Sequence, residues 1–169
     1  MGTVLYEAQF QLERGALIPV FLLVVIIFFP KIFSNMEMSK TGKLIVRILR
    51  IFAGIFVSGV ILLLTIREVN MYNGIIGAYH RGEYEIVEGY VENFDPMPYS
   101  GHAVESFEIN GIYFSYSDYT AQQGYHNAKS HGGVISGNGQ YLKIGYVQYY
   151  FNSENQNVIV YIEELPSPK

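Results

Sequence analysis

Histidines and carboxylates are the side chains of this sequence best suited to chemistry. The histidines are His80, His102, His126 and His131. A metal centre needs three or four donors converging on one point. His126 and His131 are five apart, which suits neither one helix face nor a tight chelating turn, and His102 lies in another segment. Asp95 or Asp118 would complete a set only if their loops converge, so these histidines are expected to be solvated. The densest acidic run is Glu83, Glu85, Glu88 and Glu92, joined by Glu105 and Glu108. Two close carboxylates would suit acid–base work or glycoside hydrolysis. Glu88 and Glu92 alternate with Tyr90, however, as on the wet face of a strand, where charge discourages edge pairing. The glycines of 132–139 run into a strand pattern at Tyr141-Leu142-Lys143-Ile144, whereas a phosphate cradle delivers its amides at the start of a helix. No Gly-x-Ser-x-Gly elbow is present. Absent cysteine excludes disulfides, thiolate nucleophiles and cysteine-based metal sites. The expectation is no catalytic set, no metal and no cofactor.

Charge divides the chain. Residues 1–66 carry six Lys/Arg and three Asp/Glu, whereas residues 67–169 carry five and twelve. Fourteen of the fifteen tyrosines lie after residue 66. Such an acidic second half, with only Lys129 and Lys143 basic within 84–163, opposes nucleic-acid binding, in which phosphate contacts dominate. Nucleic acid is therefore not an expected partner.

The elements that must position these residues begin with two apolar stretches. Residues 44–66 reach roughly 35 Å as a helix, enough for a hydrocarbon core of about 30 Å, with Arg47 and Arg50 snorkelling from the first turns. Residues 16–33 reach roughly 27 Å if Lys31 snorkels. Glu7 and Glu13 against Arg14 ahead of this stretch, with no small-residue cleavage site after it, argue against a signal peptide. The expectation is a tail over 1–15, a transmembrane hairpin over 16–66, a connector over 67–82 and a β domain over 83–165. Lys31, Lys40, Lys43, Arg47 and Arg50 lie on the loop between the spans and its edges, against Arg14 and Arg67 outside it. This bias predicts a cytoplasmic loop, with the N-terminus and the C-terminal domain on the far side of the cytoplasmic (inner) membrane. The lipid bilayer is the first expected partner.

From Tyr84 the period changes to two. Asn110-Gly111, between alternating runs, predicts a two-residue type I′ hairpin that pairs Ile109 with Ile112 and Phe107 with Phe114. Residues 121–130 suit a short helix or a loop, and strands are expected over 141–150 and 158–163. Strand, hairpin, helix or loop, strand, strand is the order of a five-stranded OB-like barrel. An open antiparallel sheet or a small sandwich is the alternative. The fold class is thus a membrane-anchored α+β chain: a two-helix transmembrane hairpin followed by that barrel.

The run Gly82-Glu83-Tyr84-Glu85-Ile86-Val87-Glu88-Gly89-Tyr90-Val91-Glu92-Asn93-Phe94, with Glu105-Ser106-Phe107 and residues 111–116, carries a likeness. It resembles small bacterial membrane proteins of unknown function, which have two N-terminal transmembrane helices and an extramembrane OB-like domain with a VEG-x-V first strand. The resemblance covers residues 80–163 and implies architecture; it brings no activity and no site residues. The expected function is a non-enzymatic binding module of the bacterial envelope, contacting another membrane or envelope protein. The alternatives are an envelope hydrolase using loop histidines and carboxylates, or an accessory subunit of a larger membrane complex.

Overall fold

A computed structural model describes residues 2–10, 18–32, 39–120, 122–151 and 154–168. The chain divides into a helical unit, Leu12–Val69, and a β-rich unit built from Met1–Gln11 and Asn70–Lys169. In the helical unit, α1 (Ile18–Ile32) has 15 residues, about 22 Å, which is short of a hydrocarbon core. Helix α2 (Lys40–Met71) starts on an N-cap: Gly42 N donates to Ser39 Oγ at 3.1 Å. The Thr65 hydroxyl donates to Ile61 O at 2.8 Å, which satisfies it inside an apolar helix.

The helical run continues beyond α2 through a π-helical turn (Tyr72–Ile76) and α3 (Gly77–His80). Asn73-Gly74, within the stretch expected as a connector, is absorbed by the wider π turn. The run ends on a Schellman motif: Glu83 N donates to Ala78 O and Gly82 N to Tyr79 O, with Gly82 at φ 74°. Lys40–His80, 41 residues, is long and apolar enough to cross a membrane, and none of its most apolar stretch is buried, unlike the core helix of a soluble domain. Among the described residues it is the one helix that meets this length, where two were expected. Lys40, Lys43, Arg47 and Arg50 lie on α2 and Lys31 in α1, while Arg14 and residues 33–38 lie outside the described residues.

The β unit corrects the barrel. Among the described residues seven strands form two open antiparallel sheets: β1 (Thr3–Glu7), β2 (Glu85–Tyr90), β3 (Glu92–Asp95), β4 (Glu105–Ile109), β5 (Ile112–Tyr116), β6 (Tyr141–Phe151) and β7 (Glu154–Glu164). The larger sheet runs β1-β7-β6-β2 and the smaller β3-β4-β5. The expected first strand breaks at Val91, whose amide donates to Gln140 O and whose carbonyl accepts from Gly139 N. The chain thereby leaves one sheet for the other. Closure fails at β5, where the Tyr113 carbonyl accepts from the Asn157 side chain at 2.9 Å rather than from a neighbouring strand. The segment expected as an N-terminal tail supplies β1, so the helices interrupt the β unit rather than precede it.

The Asn110-Gly111 turn has φ of 50° and 77°, and pairs Ile109 with Ile112 and Phe107 with Phe114. That apolar face meets Leu142, Ile144 and Tyr146 of β6 and Ile159 and Ile162 of β7 in the core between the sheets. The opposite face of the larger sheet covers Ile75, Ile76 and Ala78 with Val147, Val158 and Val160. The helical run therefore ends as part of the β unit's packing. Residues 122–140 hold no α-helix, only the 3₁₀ turn Lys129–His131. Gly124 (φ 93°) lies so close to β7 that a Cβ would stand 2.8 Å from Ile159 O, and Tyr125 N donates to that carbonyl.

Candidate functional site

Glu105 opens β4 with its side chain on the same inward face as Phe107 and Ile109, and is fully buried. A buried carboxylate persists only when hydrogen-bonded, and three segments supply donors. Tyr116 Oη donates at 2.7 Å across the β4–β5 pair, Lys129 N reaches both carboxylate oxygens at 3.1 and 3.0 Å, and Met97 N donates at 3.3 Å. Burial, and then this bond to Glu105, push the Tyr116 phenol far up. The carboxylate thus ties the loop after β3 and the loop after β5 to one point.

Asp118 closes the second loop on itself. Its Oδ1 accepts from Ala128 N at 2.5 Å, and its Oδ2 accepts from His131 Nδ1–H at 2.5 Å. Donation from Nδ1 leaves Nε2 of the neutral ring as an acceptor. Aromatic rings pack on both loops. Tyr99 lies 5.2 Å from the His131 ring, and Tyr119 lies 4.6 Å from the His102 ring at an interplanar angle of 31°. Gly101 (φ 73°) and His102 (φ 65°) are both left-handed, and a Cβ on Gly101 would run into the Tyr119 ring. His102 thereby occupies a conformation unusual for a residue with a side chain, which brings its ring over Tyr119. Tyr99 is 79% exposed and Tyr119 56%, so two aromatic surfaces face water from anchored loops.

His131 and Asp118 are therefore in contact, while His102, in the loop after β3, packs on Tyr119. His126 bonds within its own loop, with Nδ1 2.9 Å from Gly124 O, and His80 packs on Tyr79 at the helix end. Asp95 lies in β3, paired with Ser106. Among the described residues no three His, Asp or Glu side chains converge as metal ligands would.

The carboxylates of the acidic run separate, most of them held by different neighbours. Glu85 accepts from Tyr146 Oη at 2.6 Å, Glu88 from Tyr141 Oη at 2.8 Å, and Glu108 from Asn93 Nδ2 at 3.2 Å, while Glu83 pairs with Arg81. The bond to Glu85, and then burial, raise the Tyr146 phenol to about 12. Glu92 lies opposite Glu108 in the β3–β4 ladder. The glycine-rich loop runs into β6, with Asn138 Oδ1 accepting from Phe94 N at 2.9 Å. Lys129 is occupied, its Nζ on Ser136 O and over the Phe94 ring, and Lys143 stands between Glu88 and Glu163 in the strand register.

Tyr99 and Tyr119 were missed as site residues. Their only signal was local: each stands in a turn-rich segment beside a residue capable of chemistry, Tyr119 directly after Asp118. Comparison with known protein families, characterised proteins and solved structures finds no match to this chain.

Proposed function

We propose that this chain is a membrane-anchored, non-enzymatic recognition module, and that Tyr99, His102, Tyr119 and His131 form the surface that binds another membrane or envelope protein. The observation that carries this reading is the pairing of exposed aromatic rings with loops pinned by the buried Glu105. Rigid, amphipathic aromatics on ordered loops give contact area at low entropic cost, and such residues dominate binding energy at interfaces. Photo-crosslinking from position 99 in native membranes tests it. A partner adduct that disappears with Tyr119→Ala supports the reading; a solitary chain, or adducts equally abundant from position 155, overturns it. Once a partner is identified, Tyr99→Ala with Tyr119→Ala is expected to weaken binding by about 30-fold or more, as loss of an anchor worth roughly 2 kcal/mol does.

Localisation follows the charge bias. The five basic residues Lys31, Lys40, Lys43, Arg47 and Arg50 favour a cytoplasmic position for the turn before α2 and an extracytoplasmic one for the β unit, on the inner membrane. Because β1 is hydrogen-bonded to β7, residues 3–7 and the β unit share one side. A crossing by α2 then requires the stretch between β1 and α2 to pass back through the bilayer.

One contact favours the second reading, an envelope hydrolase. Asp118 orients His131 as the carboxylate of a general-base pair would, leaving Nε2 to take a proton from water. Turnover of an ester, amide or glycoside that is abolished in His131→Gln and Asp118→Asn, with thermal unfolding unchanged, would favour this alternative over pure recognition.

A further inference from the structure

The helical run enters the β unit among aromatic side chains, and we propose that these residues seat the unit in the lipid headgroup layer. This rests on the reading of Lys40–His80 as a membrane-crossing helix. Phe10, 52% exposed, lies edge-on to Tyr72, with ring centroids 5.7 Å apart. Tyr149 lies against the same helical turn, so close that a Cβ on Gly74 would stand 2.5 Å from its ring. Tyr150, next along β6, is 67% exposed.

Helix geometry puts Tyr72 at the outer edge of the headgroup layer. The last residue of the uncharged apolar stretch is Ile66, followed by Arg67 and Glu68. Tyr72 is six residues further on, about 9 Å along the axis, and the headgroup layer is roughly 5–8 Å deep outside each face of the hydrocarbon core. Tilt of the helix brings it lower. Tyrosine suits that layer because its ring is apolar and its hydroxyl polar.

The charge distribution agrees. Tyr149 and Tyr150 pair across β6–β7 with Gln156 and Asn155, neither of them charged. Of the carboxylates of the larger sheet, Glu85, Glu88, Glu163 and Glu164 stand toward its other end, paired with Tyr146, Lys143 and Leu142, while Glu154 pairs with Phe151 beside the tyrosines. Most carboxylates of the larger sheet thus stand away from its aromatic end.

The chain contains no tryptophan, so single substitutions report cleanly. Phe10→Trp, Tyr150→Trp, Tyr99→Trp and Phe56→Trp, each in the full chain, are reconstituted in phosphatidylcholine vesicles carrying bromine either high or deep in the acyl chains. Positions 10 and 150 are expected to emit to the blue of water-exposed indole and to be quenched at least twofold by the shallow bromines. Position 56 is expected to be quenched by the deep bromines, and position 99 by neither. Quenching at 56 without quenching at 10 and 150 overturns the proposal alone. If those two positions are then blue-shifted, a protein surface covers the ring instead. Absence of quenching at 56 overturns the membrane-crossing helix, and this proposal with it.

Discussion

Glu105 shows how a single buried charge organises loops. Its carboxylate serves Tyr116 Oη, Lys129 N and Met97 N, so removing it orphans three donors at once. Glu105→Leu is expected to cost about 3 kcal/mol and to shift thermal unfolding downward in detergent, because each buried unsatisfied group costs roughly 1–3 kcal/mol. Glu105→Gln, which keeps one acceptor oxygen, is expected to lose less. Tyr146 carries a pH dependence of definite sign. The bond to Glu85, and then burial, push its phenol from the ordinary 10 up to about 12, so the neutral form is favoured by folding. That contribution is fully present below pH 10 and is lost as pH rises through 12. Unfolding followed between these limits is expected to show a smaller loss of stability in Tyr146→Phe than in the parent chain. None of these partners was legible beforehand: Glu105 read as one more strand carboxylate, because burial is decided by what packs over it.

Glycines at two turns separate a local from a tertiary requirement. Gly111 has φ 77° with nothing near its Cβ position, so Gly111→Ala incurs only backbone strain, expected at about 1 kcal/mol. Gly124 has φ 93°, and a Cβ there would meet Val158 at 2.5 Å and Ile159 O at 2.8 Å. Gly124→Ala is expected to cost about 3 kcal/mol, strain and overpacking together, and to loosen the loop that carries Asp118. Urea unfolding midpoints of the two variants give the comparison; equal losses would show that β7 does not constrain Gly124. The hairpin was legible because Asn110-Gly111 and its flanking alternation lie within a dozen residues. The strand β1 was not, because five residues carry too little pattern to reveal a partner about 160 positions away, at Glu164.

The pairing of β1 with β7 constrains the entire chain. It predicts that single cysteines at Thr3 and Ser100 share one side of the membrane, and the proposed crossing by α2 puts Ser39 on the other. A membrane-impermeant maleimide applied to intact cells is expected to label positions 3 and 100 and to leave 39 unmodified until the cells are opened. Labelling at 39 with protection at 100 would reverse the orientation. Labelling of all three would refute a crossing by α2.

The apolar helix, the acidic tyrosine-rich half and the Asn-Gly hairpin are properties of residues close in sequence, and the sequence by itself determined them. Hydrophobic length, charge count and turn propensity act over a few turns or a single loop and need no distant partner. Tertiary structure alone decided that the two sheets stay open, that the N-terminal segment is a strand of the β unit, and that Asp118 meets His131 beside the exposed Tyr99 ring. The reason is physical. A strand edge is satisfied by whichever group reaches it, here Asn157 on Tyr113, and loop residues converge only where a buried carboxylate such as Glu105 holds their backbones.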